Sequence, residues 1–133
     1  MMNKDKKVEY WIDISEYDLQ TARAMLDSGR YIYVGFMCHQ SIEKILKAHY
    51  QMIHEKTPPR THNLSYLASQ TALLSELPEF HADFLDELEP LNVQARYPEY
   101  KDLVKKRIDV NYAGIILEKT ERLYIWIKNK LSH

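Results

Sequence analysis

The chain has 133 residues, of which 45% are hydrophobic and 28% charged, as in globular proteins and unlike disordered or fibrous ones. Its 18 Lys and Arg against 19 Asp and Glu give a net charge of −1, which creates no overall field to attract a nucleic-acid backbone or an anionic membrane. Only 3 glycines are present, too few for the turns of an all-β protein or the phosphate loops of an α/β nucleotide-binding fold.

The length predicts one domain over residues 1–133. Cys38 is the single cysteine, which excludes an intrachain disulfide and a thiolate metal cluster and favours a cytoplasmic protein. The longest apolar run, residues 31–38, is too short to span a membrane, and no signal peptide is expected.

Two long helices are predicted first. Between Val8 and Leu26 the large apolar residues recur on one stripe, which is typical of an amphipathic helix. Gly29 follows this stripe and is placed to end the helix in a left-handed conformation. The next segment, from Tyr31 to about Glu55, contains no proline and has the length of a bundle helix.

Two shorter helices are predicted next. The third follows a proline-rich connection, begins at a cap formed by Thr61 or Asn63, and ends before Pro78. In the fourth, Pro90 predicts a kink or break at residues 86–89, because proline lacks the backbone donor. The apolar stripe of the fourth helix is Phe80, Phe84, Leu88 and Leu91.

The last helix is predicted to begin near Asp109. Its apolar residues recur at alternating spacings of three and four, a heptad pattern. This seam is Val110, Ala113, Leu117, Thr120, Tyr124, Ile127 and Leu131. Because no strand-like alternation competes, the sequence predicts an all-α protein, an antiparallel up-and-down four-helix bundle with an additional short helix.

The second helix carries a row of polar residues in which His39, Glu43 and Lys47 follow one another at four-residue spacing, with Gln40 and Lys44 beside them. Such a row could present a base, cations and amide groups to a ligand. It could equally be a solvated helix face joined by Glu-to-Lys pairs.

Four motifs in order along the chain resemble those of a known family. They are Asp18-Leu19-x-x-Ala22, Phe36-x-x-His39-Gln40-x-x-Glu43-Lys44-x-Leu46-Lys47, Pro58-Pro59-x-Thr61-His62-x-Leu64-x-x-Leu67 and Ala95-Arg96-Tyr97-Pro98. Together they are similar to the HEPN family (higher eukaryotes and prokaryotes nucleotide-binding), and the resemblance covers nearly the whole chain.

The resemblance implies a helical bundle that is usually dimeric. Similar members are often encoded beside a minimal nucleotidyltransferase, sometimes as toxin and antitoxin. Many members are metal-independent ribonucleases that need an Arg followed, after four to six residues, by a His. No arginine of this chain is followed by a histidine at that spacing, so the familiar ribonuclease pair is absent.

The resemblance and the polar row together predict the ligand-binding residues, which are His39, Gln40, Glu43, Lys47, His62, Arg96 and Tyr97. Arg96 would offer a fork of donors to a phosphate and Tyr97 a ring for base stacking. Alternatively, Arg96 pairs with a carboxylate such as Glu43, and His62 only caps the helix that follows it.

The favoured hypothesis is a non-catalytic domain that binds a nucleotide or RNA and a protein partner, acts with a minimal nucleotidyltransferase, and forms a homodimer. The alternatives are a ribonuclease with a non-standard set, in which Arg96 works with His39 or His62, and a purely structural dimerisation module. No cofactor is expected. No metal site is expected either, because His49 and His54 do not share a helix face.

Overall fold

The computed structural model describes residues 4–96 and 108–131, with side chains at 5–92 and 108–131. These residues form helices and no strand. The helices are α1 (Lys4–Asp27), α2 (Tyr31–His54), α3 (Leu64–Ser69), α4 (Leu73–Glu76), α5 (Glu79–Arg96) and α6 (Val110–Leu131). Four are long and two are short, so the predicted all-α bundle is confirmed, with a second short helix beyond the one expected.

The ends of α1 and α2 lie where the sequence predicts them. Gly29 has a φ of +78°, a left-handed conformation that glycine adopts without a steric penalty. The backbone N–H of Arg30 then donates to the carbonyl of Met25 at 2.8 Å and closes the end of α1. Helix α2 ends at His54, and the capping residue Glu55 is also left-handed, with a φ of 56°.

The third predicted helix is divided in two. Asn63 caps α3 as expected, since its side chain accepts the backbone N–H of Tyr66 at 2.9 Å. The prediction of one helix up to Pro78 is wrong. The Thr71 hydroxyl donates to the carbonyl of Ala68 and accepts the N–H of Leu73, each at 3.2 Å, and these local bonds replace helical ones between α3 and α4.

Helix α5 continues through Pro90, so a break at residues 86–89 is wrong, and the alternative of a kink there stays a prediction. Pro90 is exposed, and water can therefore satisfy the carbonyl one turn earlier that proline leaves without a donor. On the inner side, α5 comes close to α2. A Cβ atom added at Gly35 would lie only 3.0 Å from the Leu91 side chain, so glycine lets the two helices approach without displacing Leu91.

Helix α2 is the centre of the bundle and packs against α1, α5 and α6. Most of the predicted seam of α6 is buried, but its first residue, Val110, is exposed. The same holds for Phe80 at the start of α5, because both residues lie at helix ends beyond the core. No helix among the described residues is both apolar and long enough to cross a membrane.

Candidate functional site

The polar row of α2 faces inward rather than toward solvent. His39, Glu43 and Lys47 share a face through their four-residue spacing, and all three are buried. They meet His62, in the connection before α3, and Glu89 on α5. We call these five residues the Glu43 cluster. The alternative of a solvated helix face does not describe this row.

Glu43 is the residue to which most of the cluster binds. Lys47 Nζ donates to its Oε2 atom at 3.0 Å, and His62 Nδ1 lies 2.7 Å from its Oε1 atom. Burial raises the pKa of Glu43, but the His62 hydrogen bond and the charge of Lys47 outweigh burial and hold the pKa below its usual value. Glu43 is therefore ionised near neutral pH, and because a carboxylate only accepts, His62 Nδ1 carries the proton in this bond.

His62 is the most exposed member of the cluster. Its side chain is 55% exposed although its partner Glu43 is buried. It does not cap α3, since the Asn63 side chain fills that role. The carboxylate fixes the ring through Nδ1, which leaves Nε2 as the nitrogen that can contact a ligand.

His39 lies fully buried between two carboxylates. Its Nδ1 atom is 3.9 Å from Glu43 and its Nε2 atom 3.7 Å from Glu89, and neither nitrogen has a hydrogen-bond partner. Glu89 also accepts the backbone N–H of Leu64, at the first turn of α3. Two carboxylates from different helices thus hold the connection that carries His62. Glu89 is not among the predicted site residues, because it belongs to an acidic run that is typical of a solvent-exposed face.

Gln40 belongs to a second, adjoining set of contacts. Its amide donates to Asn92 on α5 at 3.1 Å and accepts from Lys44 Nζ at 3.0 Å. Lys44 also lies 3.9 Å from both Asp18 on α1 and Glu43. Burial raises the pKa of Asp18, and the charge of Lys44 offsets only part of that effect. Asp18 and Asn92 complete this set, and neither was predicted as a site residue.

Two predicted site residues cannot be placed against the cluster. Helix α5 ends at Arg96, but the Arg96 side chain and all of Tyr97 lie outside the described residues. The expected approach of Arg96 to Glu43 and Lys47 therefore stays a prediction.

The remaining histidines of α2 lie in different surroundings, as their spacing predicts. His49 is buried, and burial lowers its pKa to about 4. His54 is exposed, and its ring contacts the backbone carbonyl of Gln70. Within the part of the chain that the structure describes, no group of three or more His, Cys, Asp or Glu side chains could hold a metal ion.

The arrangement supports two kinds of chemistry at His62. A carboxylate-held imidazole can bind a polar ligand through Nε2, as an acceptor when neutral and as a donor to an anion when protonated. The same nitrogen can act as a general base toward a hydroxyl group within hydrogen-bond distance. Lys47 is less available to a phosphate, because it is buried against Glu43.

Comparisons with known proteins agree with the architecture. A HEPN domain family model matches residues 8–130. The structure is similar to the crystal structure of TT1696 from Thermus thermophilus, with 19% sequence identity, a TM-score of 0.79, and coverage of 97% of this chain and 99% of that one. It is also similar to ST0689, an archaeal HEPN homologue, with 23% identity, a TM-score of 0.71 and coverage of 98% of each chain. At these identities the two structures show the fold alone. No curated protein matches the chain.

Proposed function

The chain belongs to the HEPN domain family, and on that premise we propose that it is a non-catalytic binding domain that takes a nucleotide or RNA at the Glu43 cluster. We propose further that it is one cytoplasmic domain over residues 1–133, forms a homodimer, and acts with a minimal nucleotidyltransferase, as a toxin–antitoxin pair or an accessory subunit.

The observation that carries the binding proposal is the 2.7 Å contact between buried Glu43 and exposed His62. A histidine on a solvent-exposed connection would ordinarily sample several rotamers. Here an ionised carboxylate fixes its ring, and this lowers the entropy that a ligand must overcome to engage Nε2. Glu89 holds the same connection through the backbone of Leu64, which fixes the position of His62 further.

A nucleotide suits this arrangement because it offers both partners that Nε2 can use. Neutral His62 can accept a hydrogen bond from a ribose hydroxyl or a base N–H, and protonated His62 can donate to a phosphate. We expect Arg96 to add a phosphate contact and Tyr97 a stacking ring. His39 has no exposed surface, so it would act on a ligand only through the carboxylates of Glu43 and Glu89.

The test is the affinity for fluorescently labelled ATP, GTP and a short single-stranded RNA. His62→Ala removes a charge-assisted hydrogen bond worth about 1.5–3 kcal/mol, so binding should weaken by about ten- to hundredfold. The matched control is His54→Ala, which removes another exposed histidine of the chain and should leave affinity unchanged. Equal affinity of His62→Ala and wild type for every probe would contradict the proposal.

The partner proposal rests on the resemblance of the ordered motifs to HEPN chains encoded beside minimal nucleotidyltransferases. Co-purification with the nucleotidyltransferase from a neighbouring reading frame tests it. We expect a complex that survives gel filtration. Separate elution of the two proteins at micromolar concentration would contradict this part alone and leave the binding proposal standing.

A second candidate function is metal-independent cleavage of RNA, and the orientation of His62 by Glu43 favours it. In this reaction His62 Nε2 takes the proton of a ribose 2′-hydroxyl, whose oxygen attacks the adjacent phosphorus. The bond to the 5′-oxygen breaks, this oxygen takes a proton from water and leaves as a hydroxyl, and a 2′,3′-cyclic phosphate forms. Labelled RNA incubated with a chelator separates the two functions. Cyclic-phosphate products that His62→Ala abolishes would favour the enzyme, and intact RNA would favour binding alone.

A further inference from the structure

Helix α6 carries a second periodic row of residues on the side opposite its buried seam. We call this row the outer face of α6. Its members follow one another at spacings of four, three, four, three and four, which is again a heptad pattern. All of them are exposed: Asn111, Ile115, Glu118, Arg122, Ile125 and Asn129.

The outer face is more apolar than a solvated helix face requires. Ile115 is 48% exposed and Ile125 57% exposed, at positions where helices usually carry polar residues. Between them lies an ion pair in which Arg122 donates to Glu118 at 2.8 Å, with both side chains well exposed. Exposed isoleucines on either side of opposite charges give this face both apolar surface and charges that another helix could complement.

We propose that the outer face of α6 binds the same face of a second copy of the chain, with the two helices antiparallel about a two-fold axis. This inference rests on the homodimer proposed above and names its interface. The order of residues along the row supports this interface, because each residue meets a complementary residue when the second copy runs in the opposite direction. Ile115 then meets Ile125 of the second copy, Glu118 meets Arg122, and Asn111 meets Asn129, each pair occurring twice.

The flanks of the outer face are compatible with this pairing. Lys119 and Glu121 lie on either side of the axis, where each would approach its own copy in the other chain. Both charges are already balanced within one chain, since Lys119 lies 3.4 Å from Glu87 and Glu121 lies 3.3 Å from Arg23. Like charges across the axis are therefore partly neutralised before the chains meet.

Phe80 adds apolar surface to the proposed interface beyond what the outer face of α6 offers. A stable interface buries about 800 Å² on each partner, more than a single row of side chains offers. Phe80 is 66% exposed and lies beside Arg122, where both line a hollow of about 170 Å³. With two isoleucines and one phenylalanine from each chain, we expect a dimer that dissociates on dilution.

Charge reversal at the centre of the outer face tests the interface. Arg122→Glu places carboxylates opposite carboxylates, and Glu118→Arg places guanidinium groups opposite one another, so each variant should be monomeric in analytical ultracentrifugation where wild type is dimeric. A mixture of the two variants should form a heterodimer, because every Glu then faces an Arg. The double variant E118R/R122E should again form a homodimer.

The controls separate loss of this interface from misfolding and from the loss of exposed side chains elsewhere. Tyr17→Ala removes a large exposed side chain on α1 and should leave the dimer intact. Circular dichroism should show equal helix content in all variants, and recovery in the mixture excludes misfolding as the cause of dissociation. A dimer that persists in both charge-reversed variants would overturn the interface and leave the homodimer standing. A wild-type chain that is monomeric at high micromolar concentration would overturn both.

Discussion

Helices α2 and α6 each carry a glutamate with a cation four residues later, yet the two pairs lie in opposite surroundings. Glu43 and Lys47 on α2 are 3.0 Å apart and buried, whereas Glu118 and Arg122 on α6 are 2.8 Å apart and exposed. The difference comes from the helices around them. Helix α2 has neighbours on several sides, while α6 leaves one face outside the bundle. Equal spacing along the chain and similar distances between the charges therefore do not imply an equal role.

The surroundings determine what each pair contributes to stability. An exposed pair gains little, because water solvates both charges well when they are apart. In a buried pair each charge has lost its water, and removing one partner leaves the other without compensation. The Glu43 cluster should therefore be sensitive to substitution, and the outer face of α6 should tolerate it.

The largest predicted effect is on folding stability at Glu43. Glu43→Ala leaves buried Lys47 and the connection at His62 without their carboxylate, and should lower the free energy of unfolding by about 3–5 kcal/mol. Glu118→Ala should lower it by only about 0.2–0.5 kcal/mol. Urea unfolding at submicromolar concentration, where a weak dimer is dissociated, measures both.

Glu43→Gln is the matched control, because it keeps the shape and one hydrogen-bond acceptor while removing the charge. Its loss of stability should lie between those of Glu43→Ala and Glu118→Ala. Similar values for the two alanine variants would contradict the contrast between the buried and the exposed pair.

A smaller effect is predicted at His49, a buried histidine of α2 that lies outside the Glu43 cluster. Because its folded pKa of about 4 lies below its ordinary value of 6.5, the unfolded chain takes up the proton first as the pH falls. This contribution to stability is present above pH 6.5 and should be lost down to about pH 4, by about 3 kcal/mol.

His49→Leu should remove this loss, so that unfolding curves for the variant change less between pH 7 and about pH 4 than those of wild type. His54→Gln, which alters an exposed histidine, should behave as wild type. An equal pH dependence of wild type and His49→Leu would show that other groups cause the acid sensitivity.

The sequence predicts most of the fold, because local chemistry fixes most helix ends. A glycine that can adopt positive φ ends α1, and an asparagine cap begins α3. Helix periodicity does not predict the division between α3 and α4, because this division depends on which hydrogen bonds Thr71 makes. Helix α5 continues through Pro90 because that residue faces water. Helix periodicity alone does not predict that Pro90 is exposed.

The candidate site is only partly predictable for a related reason. Four-residue spacing places His39, Glu43 and Lys47 on one face, but spacing does not say whether the face is buried. Glu89 lies in the cluster because α5 packs against the start of α3. Local sequence patterns do not predict this tertiary contact. The outer face of α6 does not stand out in the sequence, because the buried seam of the same helix has the same heptad spacing and is more apolar.

The most direct test of the Glu43 cluster as a ligand site is nitrogen NMR of the histidine rings during titration with ATP or a short single-stranded RNA. We expect the Nε2 signal of His62 to shift with saturation, the signal of His54 to stay unchanged, and Glu43→Gln to weaken the response. Saturable binding of these probes with no change at His62 would contradict the assignment, since the ligand would then occupy another part of the molecule.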